Sequence, residues 1–356
     1  MTRVYLNRVG TAVPRHDIHA DFVDYGRSVL DDEHRRALWD RMAEMADIEH
    51  RFAVFAASPA PRLTNLVQDG FYMRGDFPGT AARMRRFEHE ALALATQAVA
   101  ALDLGAQRQE ITHLIVACCT GFTAPGLDFQ LMRNLGLRPG VERTIVGFMG
   151  CFAAVNSLRL ARHIVRSEPD AVVLVVNVEL SSLHLQEDAE LEKLLSFMLF
   201  GDGCSASLVS ARPEGLELGA FRAAVIPETS DMITWHVGDT GFLMHLSGAV
   251  PGRIRRFLLR GAADLFGNGD PAAVAHWAVH AGGRSILDAV QSGLSLAPRA
   301  LDHSRAVLRS YGNMSSATLP FVLDRIIRAR PRDGDGVAMA FGPGLSVESF
   351  RFRPAA

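Results

Sequence analysis

Residues 172–178 read Val-Val-Leu-Val-Val-Asn-Val, a run with almost no polar alternation. A strand of this kind needs cover on both faces, as in the interior of a sheet flanked by helices on each side. The neighbouring segments supply those helices. Residues 111–118 read as a buried strand, 128–135 as a helix, 143–146 as the end of a short buried strand and 152–166 as a helix closed by Pro169. After the aliphatic strand come a helix over 191–199 and a strand over 204–210. This alternation defines an α/β chain.

The Arg212-Pro213-Glu214-Gly215 turn marks the junction to a second round: strands over 216–226, a helix over 254–265, a strand over 276–279 and a helix over 284–291. A helix over 317–328 and a terminal hairpin of 337–341 and 345–352 complete it. The expected halves are 1–211 and 212–356. Ahead of the alternation, 1–16 reads as a strand and a loop. An amphipathic helix follows over 31–45, capped near Asp31 and Asp32, with Leu38, Met42 and Met45 on one side. Residues 53–80 are broken by Pro and Gly, and a long helix follows over 80–102, whose Arg83, Arg85 and Arg86 read as a solvated face.

At 356 residues and 48% hydrophobic, the chain can bury a large core. Its net charge of −2 comes from mixed acids and bases, with no basic stripe for nucleic acid. No apolar run reaches membrane-span length, and the first residues lack a signal-peptide pattern, so the expected location is cytoplasmic. The four cysteines (Cys118, Cys119, Cys151, Cys204) form neither a disulfide framework nor a zinc-type pair. His113 with Cys118 and Cys119 offers metal-binding atoms, but their placement along one strand reads as core. No metal is expected.

Within Gly147-Phe148-Met149-Gly150-Cys151-Phe152-Ala153-Ala154, Cys151 follows a tight glycine turn at the first residues of a helix. Unsatisfied N–H groups and the positive end of the helix dipole favour its thiolate, the nucleophilic form. A packed, inert core cysteine fits the same octapeptide, and both readings stand at this point.

His280 ends a strand and precedes Gly282, Gly283 and a helix, a position where α/β folds bind ligands. Asn313 lies in the helix-entry turn Tyr311-Gly312-Asn313-Met314-Ser315-Ser316, where turn formation is its ordinary role. Convergence of Cys151, His280 and Asn313 in one pocket makes coherent chemistry. His280 pairs with the thiolate, and His280 with Asn313 donates hydrogen bonds to an oxygen that turns negative. Acyl transfer, or enolate formation by loss of CO2, suits such a set. The Gly201-Asp202-Gly203 stretch fails the dinucleotide fingerprint.

The 147–161 stretch, His280-Ala281-Gly282-Gly283, Gly312-Asn313-Met314-Ser315-Ser316-Ala317 and Phe341-Gly342-Pro343-Gly344-Leu345 together resemble the type III polyketide synthases. These are chalcone-synthase-like homodimers of thiolase fold. The resemblance implies five layers, αβαβα, built from two pseudo-symmetric halves. It implies Cys151 as the acyl-carrying nucleophile, with His280 and Asn313 as partners in decarboxylation and condensation. Phe200 matches one aromatic gate of the cavity, and Met244 stands where the second would be. Cys119, His184, Trp235 and Ser315 fall at cavity-shaping positions, with Gly342, Pro343 and Gly344 in the same wall. Ala124 replaces a larger residue that in plant members reaches the partner's cavity. Of three basic residues that bind coenzyme A in plant members, only Arg41 aligns; Leu38 and Met45 occupy the others. Backbone at Gly282, Gly283 and Ser285 lines the tunnel.

The expected substrates are therefore an acyl-CoA or acyl-carrier-protein starter and malonyl-CoA, with no cofactor. The wording around Cys119 and Cys151 is similar to bacterial members that turn long fatty acyl starters into alkylpyrones and alkylresorcinols. A thiolase would need a late second cysteine, which is absent after Cys204. Single-condensation ketoacyl synthase and non-catalytic partner subunit remain the alternatives.

Overall fold

The computed structural model describes residues 2–58, 65–260, 265 and 270–355. The chain opens with β1 (Tyr5–Ala12), a ribbon of β2 (His16–Asp17) and β3 (Phe52–Ala53), and helices α1 (His19–Val29), α2 (Glu33–Met45) and α3 (Thr80–Ala100). Then come β4 (His113–Cys118), α4 (Leu127–Asn134), β5 (Glu142–Gly147), α5 (Ala153–Ser167), β6 (Val173–Leu180), α6 (Leu191–Leu199) and β7 (Asp202–Ser210). The remainder begins with β8 (Leu216–Val225), the hairpin β9 (Ile233–Gly238) and β10 (Gly241–Leu246), and α7 (Val250–Leu259). It ends with β11 (His276–Val279), α8 (Arg284–Gly293), α9 (Asp302–Tyr311), α10 (Thr318–Arg328), β12 (Gly336–Gly342) and β13 (Ser346–Pro354).

The main sheet runs β11-β12-β13-β8-β1-β7-β6-β4-β5. Its order is mirrored about the β8–β1 seam over four strands on each side, with β5 added beyond β4. In each direction a first strand meets an antiparallel second (β7 or β13), then a third antiparallel to that (β6 or β12), then a fourth parallel to the third (β4 or β11). The seam itself is two residue pairs, Tyr5 with Glu217 and Leu6 with Leu216, so the halves hinge there rather than forming one flat surface. α5 packs on β4, β6 and β7 and also on β13, while α10 touches β1, β7 and β11. These two helices lie between the half-sheets; α3 covers the outer face of the first, and α7 with α8 cover that of the second, where Ile254, Leu258, Leu287 and Val290 share a core with Val337 and Met339, which gives the five layers. All of β4, β6, β7 and β12 is buried, as the unalternating aliphatic run requires.

Several sequence expectations shift. β5 is exposed rather than buried, because it is the terminal strand of the sheet. Arg83 is not on a solvated face: it is fully buried, and its Nη1 donates to Leu183 O (2.7 Å) and Leu185 O (2.8 Å). Arg86 is half-buried and pairs with Asp69 and Glu90, and only Arg85 is exposed. The helix expected over 254–265 starts earlier, at Val250, and part of its expected end lies outside the described residues. α1, α9 and the β9–β10 hairpin are additions to what the sequence patterning predicts. α2 forms where expected, with Asp32 as N-cap accepting from Arg35 N at 2.8 Å, a contact worth about 1 kcal/mol.

Candidate active site

A cavity of about 700 Å³ opens between the halves, and Cys151, His280 and Asn313 all line it. Cys151 sits in a single helical turn, Gly150–Phe152, that runs directly into α5. The turn is possible because Gly150 has φ +78°, and because nothing larger fits: a β-carbon there would stand 2.2 Å from Pro343 Cδ. Gly150 N donates to Cys119 Sγ at 2.9 Å, which ties the turn to the end of β4.

His280 follows β11, its N–H donating to Met339 O at 2.8 Å. Among the described residues neither ring nitrogen has a hydrogen-bond partner, although both are buried. Gly282 keeps one ring edge open, since a β-carbon at that position would lie 3.5 Å from Nε2. Asn313 is locked on three sides. Its N–H donates to Leu199 O (2.8 Å), and its carbonyl accepts from Gly201 N (2.9 Å). Its Oδ1 accepts from Ser315 N (2.8 Å), and Nδ2 donates to Gly282 O (3.3 Å). One Nδ2 hydrogen remains for a ligand.

Burial acts against the expected thiolate–imidazolium pair. Burial pushes the Cys151 thiol up to about 12; hydrogen bonding from Ser315 and Asn313 pulls it down, and nearby Glu179 adds to the rise. Burial likewise pulls His280 down to about 3. Desolvation thus works against ionisation of both groups and opposes the helix terminus, although Cys151 itself is half-buried and faces the cavity.

Phe200, Met244, Cys119, Trp235, Ser315, Gly342, Pro343, Gly282, Gly283 and Ser285 line the same cavity. Three expected residues do not. His184 stands behind the wall: its Nε2–H donates to Thr120 O (2.6 Å) and its Nδ1 accepts from Phe242 N (2.9 Å). With both nitrogens used, and stacked on Phe242 with centroids 4.1 Å apart, it supports Trp235 from outside. Gly344 lies beyond the turn and has open space around it. Arg41 is exposed and turned away, while Leu38, Met42 and Met45 of α2 line the mouth. Ala124 is also exposed, near Phe122.

Glu179 carries a role that the sequence reading misses. It is fully buried on β6 and accepts from Cys119 N (3.0 Å), Thr120 Oγ1 (2.9 Å) and Ser316 Oγ. Burial raises its carboxyl to about 7, against the pull of those donors. An acid inside an otherwise aliphatic strand was the available signal. Leu191, Leu195, Leu246 and Val250 extend the apolar wall, and their spacing reads only as ordinary core. Among the described residues no cluster of metal-binding side chains occurs, and no helix is long and apolar enough to cross a membrane.

The N-terminal domain of the chalcone and stilbene synthases matches residues 3–213, and the C-terminal domain of the same family matches residues 217–355. The chain is similar in structure to PKS-I from the brown alga Ectocarpus siliculosus, at 28% identity and TM-score 0.87, covering 99% of each chain. It is also similar to the C-terminal type III polyketide synthase domain of Steely1, a type I/III hybrid from Dictyostelium, at 25% identity and TM-score 0.88, covering 99% of this chain and 100% of that one. CsyB complexed with CoA-SH shares the fold at 21% identity and TM-score 0.85, again covering 99% and 100%.

Proposed function

This chain belongs to the chalcone and stilbene synthase family, the type III polyketide synthases, and on that premise we propose that Cys151, His280 and Asn313 extend an apolar acyl starter with malonyl-CoA. Such an enzyme is a decarboxylating, condensing acyltransferase. The observation that carries the assignment of roles is the convergence of those three side chains in one cavity of about 700 Å³.

In the first step the Cys151 sulfur attacks the starter thioester. His280 takes the thiol proton and delivers it to the leaving thiol, so the sulfur need not be ionised beforehand. Malonyl-CoA then loses CO2, and its electron pair becomes an enolate. The enolate oxygen accepts from the His280 ring N–H and from the free Nδ2 hydrogen of Asn313. Since neither ring nitrogen is held by a neighbour among the described residues, both tautomers of His280 are available for these two roles. The enolate carbon forms a bond to the Cys151-bound carbonyl, and the sulfur leaves as thiolate carrying the charge the malonate brought. That thiolate takes the lengthened chain back for another round. These steps need no cofactor beyond the coenzyme A thioesters.

Leu38, Met42, Leu191, Leu195, Leu246 and Met244 favour long or bulky apolar starters, and cyclisation to a pyrone or resorcinol follows from the same apolar enclosure. A homodimer is part of the proposal. The exposed edge strand β5 carries Ile145 at 51% exposure, and Phe122, Phe148 and Met149 are exposed beside it. The four free cysteines suit a reducing cytoplasm. The decisive experiment incubates the purified protein with malonyl-CoA and acyl-CoAs of about 2–18 carbons, chains that a pocket of this size class encloses. Products are read by mass spectrometry. Multiply extended products, absent with Cys151→Ala, are expected. A single condensation would favour the ketoacyl synthase reading, and normal products from Cys151→Ala would end the proposal.

A further inference from the structure

α7 begins in the wall of the cavity, where Val250 and Pro251 are lining residues, and then runs away from it. Ile254 and Leu258 are buried, and α7 packs on α8. The outward face from Arg253 to Arg260 carries four arginines and no acid. Arg253, Arg256 and Arg260 form an i, i+3, i+7 stripe, flanked by Arg255 and by Leu259, which is 53% exposed. Among the described residues no ion pair or hydrogen bond of any of these four guanidinium groups occurs, whereas Arg284 and Arg305 on the neighbouring helices both pair with Asp288. Arginines stacked at this spacing repel one another, and the helix gains from them only at its C-terminal end, at Arg256 and Arg260. Across the mouth, the cavity-lining positions of α2 are Leu38, Met42 and Met45, with no cation among them.

We propose that the outward face of α7 is a docking surface for an acidic acyl carrier protein, which presents the starter on its phosphopantetheine arm to Cys151. This rests on the reading that Cys151 is acylated from a thioester. Seven residues of helix place the cations along about 10 Å, a length that matches an acidic helix rather than one phosphate group. Leu259 gives that contact an apolar centre. A carrier-bound arm brings no adenosine nucleotide, so it needs no phosphate ligand at the apolar stretch formed by Leu38, Met42 and Met45. The step is thioester exchange: the bond from acyl carbon to pantetheine sulfur breaks, the bond to Cys151 Sγ forms, and the thiol proton passes to the pantetheine sulfur.

The test has two parts. Binding of a fluorescently labelled, decanoyl-loaded fatty-acid carrier protein is measured on the otherwise intact Cys151→Ala protein, with and without Arg255→Glu and Arg256→Glu together. Then kcat/KM for decanoyl-carrier protein and for decanoyl-CoA is compared in the native protein, in the double Glu variant and in Arg255→Lys with Arg256→Lys. The double Glu change is expected to weaken carrier binding and to lower kcat/KM on the carrier route by about tenfold or more, while acyl-CoA stays within about twofold; the double Lys protein should keep most of both. Equal losses on both substrates would assign the arginines to coenzyme A phosphates. Unchanged carrier kinetics, or binding to phosphatidylglycerol vesicles in place of the carrier, would also overturn the proposal. Salt-sensitive carrier binding without any extension would instead count against the synthase reading and leave the docking surface standing.

Discussion

Pro343 occupies the space that a side chain on Gly150 would need: a β-carbon at 150 would lie 2.2 Å from Pro343 Cδ. The Gly150–Phe152 turn of the first half is thereby fitted against the Gly342-Pro343-Gly344 turn of the second. A β-carbon on Gly342 would in turn meet Phe152 Cδ1 at 2.6 Å.

Gly150→Ala is therefore expected to strain the turn twice, through its φ of +78° and through this contact. The backbone conformation alone costs about 1–3 kcal/mol. Urea denaturation should show the loss, with activity falling further because Cys151 is displaced. A stable, fully active Gly150→Ala protein would contradict the account of the turn.

Asn313→Ala separates two steps. In the proposed mechanism the starter needs only Cys151 and His280 to load, whereas the enolate loses one of its two donors. Intact-protein mass spectrometry should still show acylated Cys151, and CO2 release from malonyl-CoA should fall by about 10²–10³. A parallel loss of acylation would mean that Asn313 acts mainly by holding the cavity together.

Met244→Phe introduces a ring opposite Trp235, its cross-strand partner on β9. The cavity narrows and the flexible thioether is lost. Competition between short and long acyl-CoAs should shift toward the short ones. An unchanged starter profile removes Met244 from the determinants of chain length.

Glu179 gives a pH signature. Its carboxyl is raised from an ordinary 4.5 to about 7 in the fold, so the native protein holds the proton more tightly than the unfolded chain. Its stabilising protonation is complete below about 4.5 and is lost as pH rises through 7, worth about 3 kcal/mol across that window. Glu179→Gln should flatten that part of the stability profile, read by denaturant midpoints between about pH 5 and 8. If the slopes of the two proteins match, the carboxyl is ionised throughout.

The placement of the candidate site was legible in unequal parts. Cys151, His280 and Asn313 sit at turns next to glycine, where the backbone has to do something unusual, and such punctuation survives in one dimension. His184 and Arg41 carry no such mark. Whether a histidine faces the cavity or spends both nitrogens behind it depends on Thr120 and Phe242, which come from elsewhere in the chain. Arg83 misled for the same reason: its carbonyl partners at Leu183 and Leu185 lie about a hundred residues away.

By itself the sequence determined the α/β alternation, the buried middle strand and the glycine turns, because periodicity and backbone permissiveness are local properties. Only the tertiary structure decided that the strand before Cys151 lies at an exposed edge, and that Leu38 and Met45 form the cavity mouth while Arg41 turns outward. It alone set how strongly burial opposes charge on the Cys151 sulfur and the His280 imidazole. Burial is a sum over neighbours from both halves, and the desolvation it imposes pulls against what a helix start promises to a thiol.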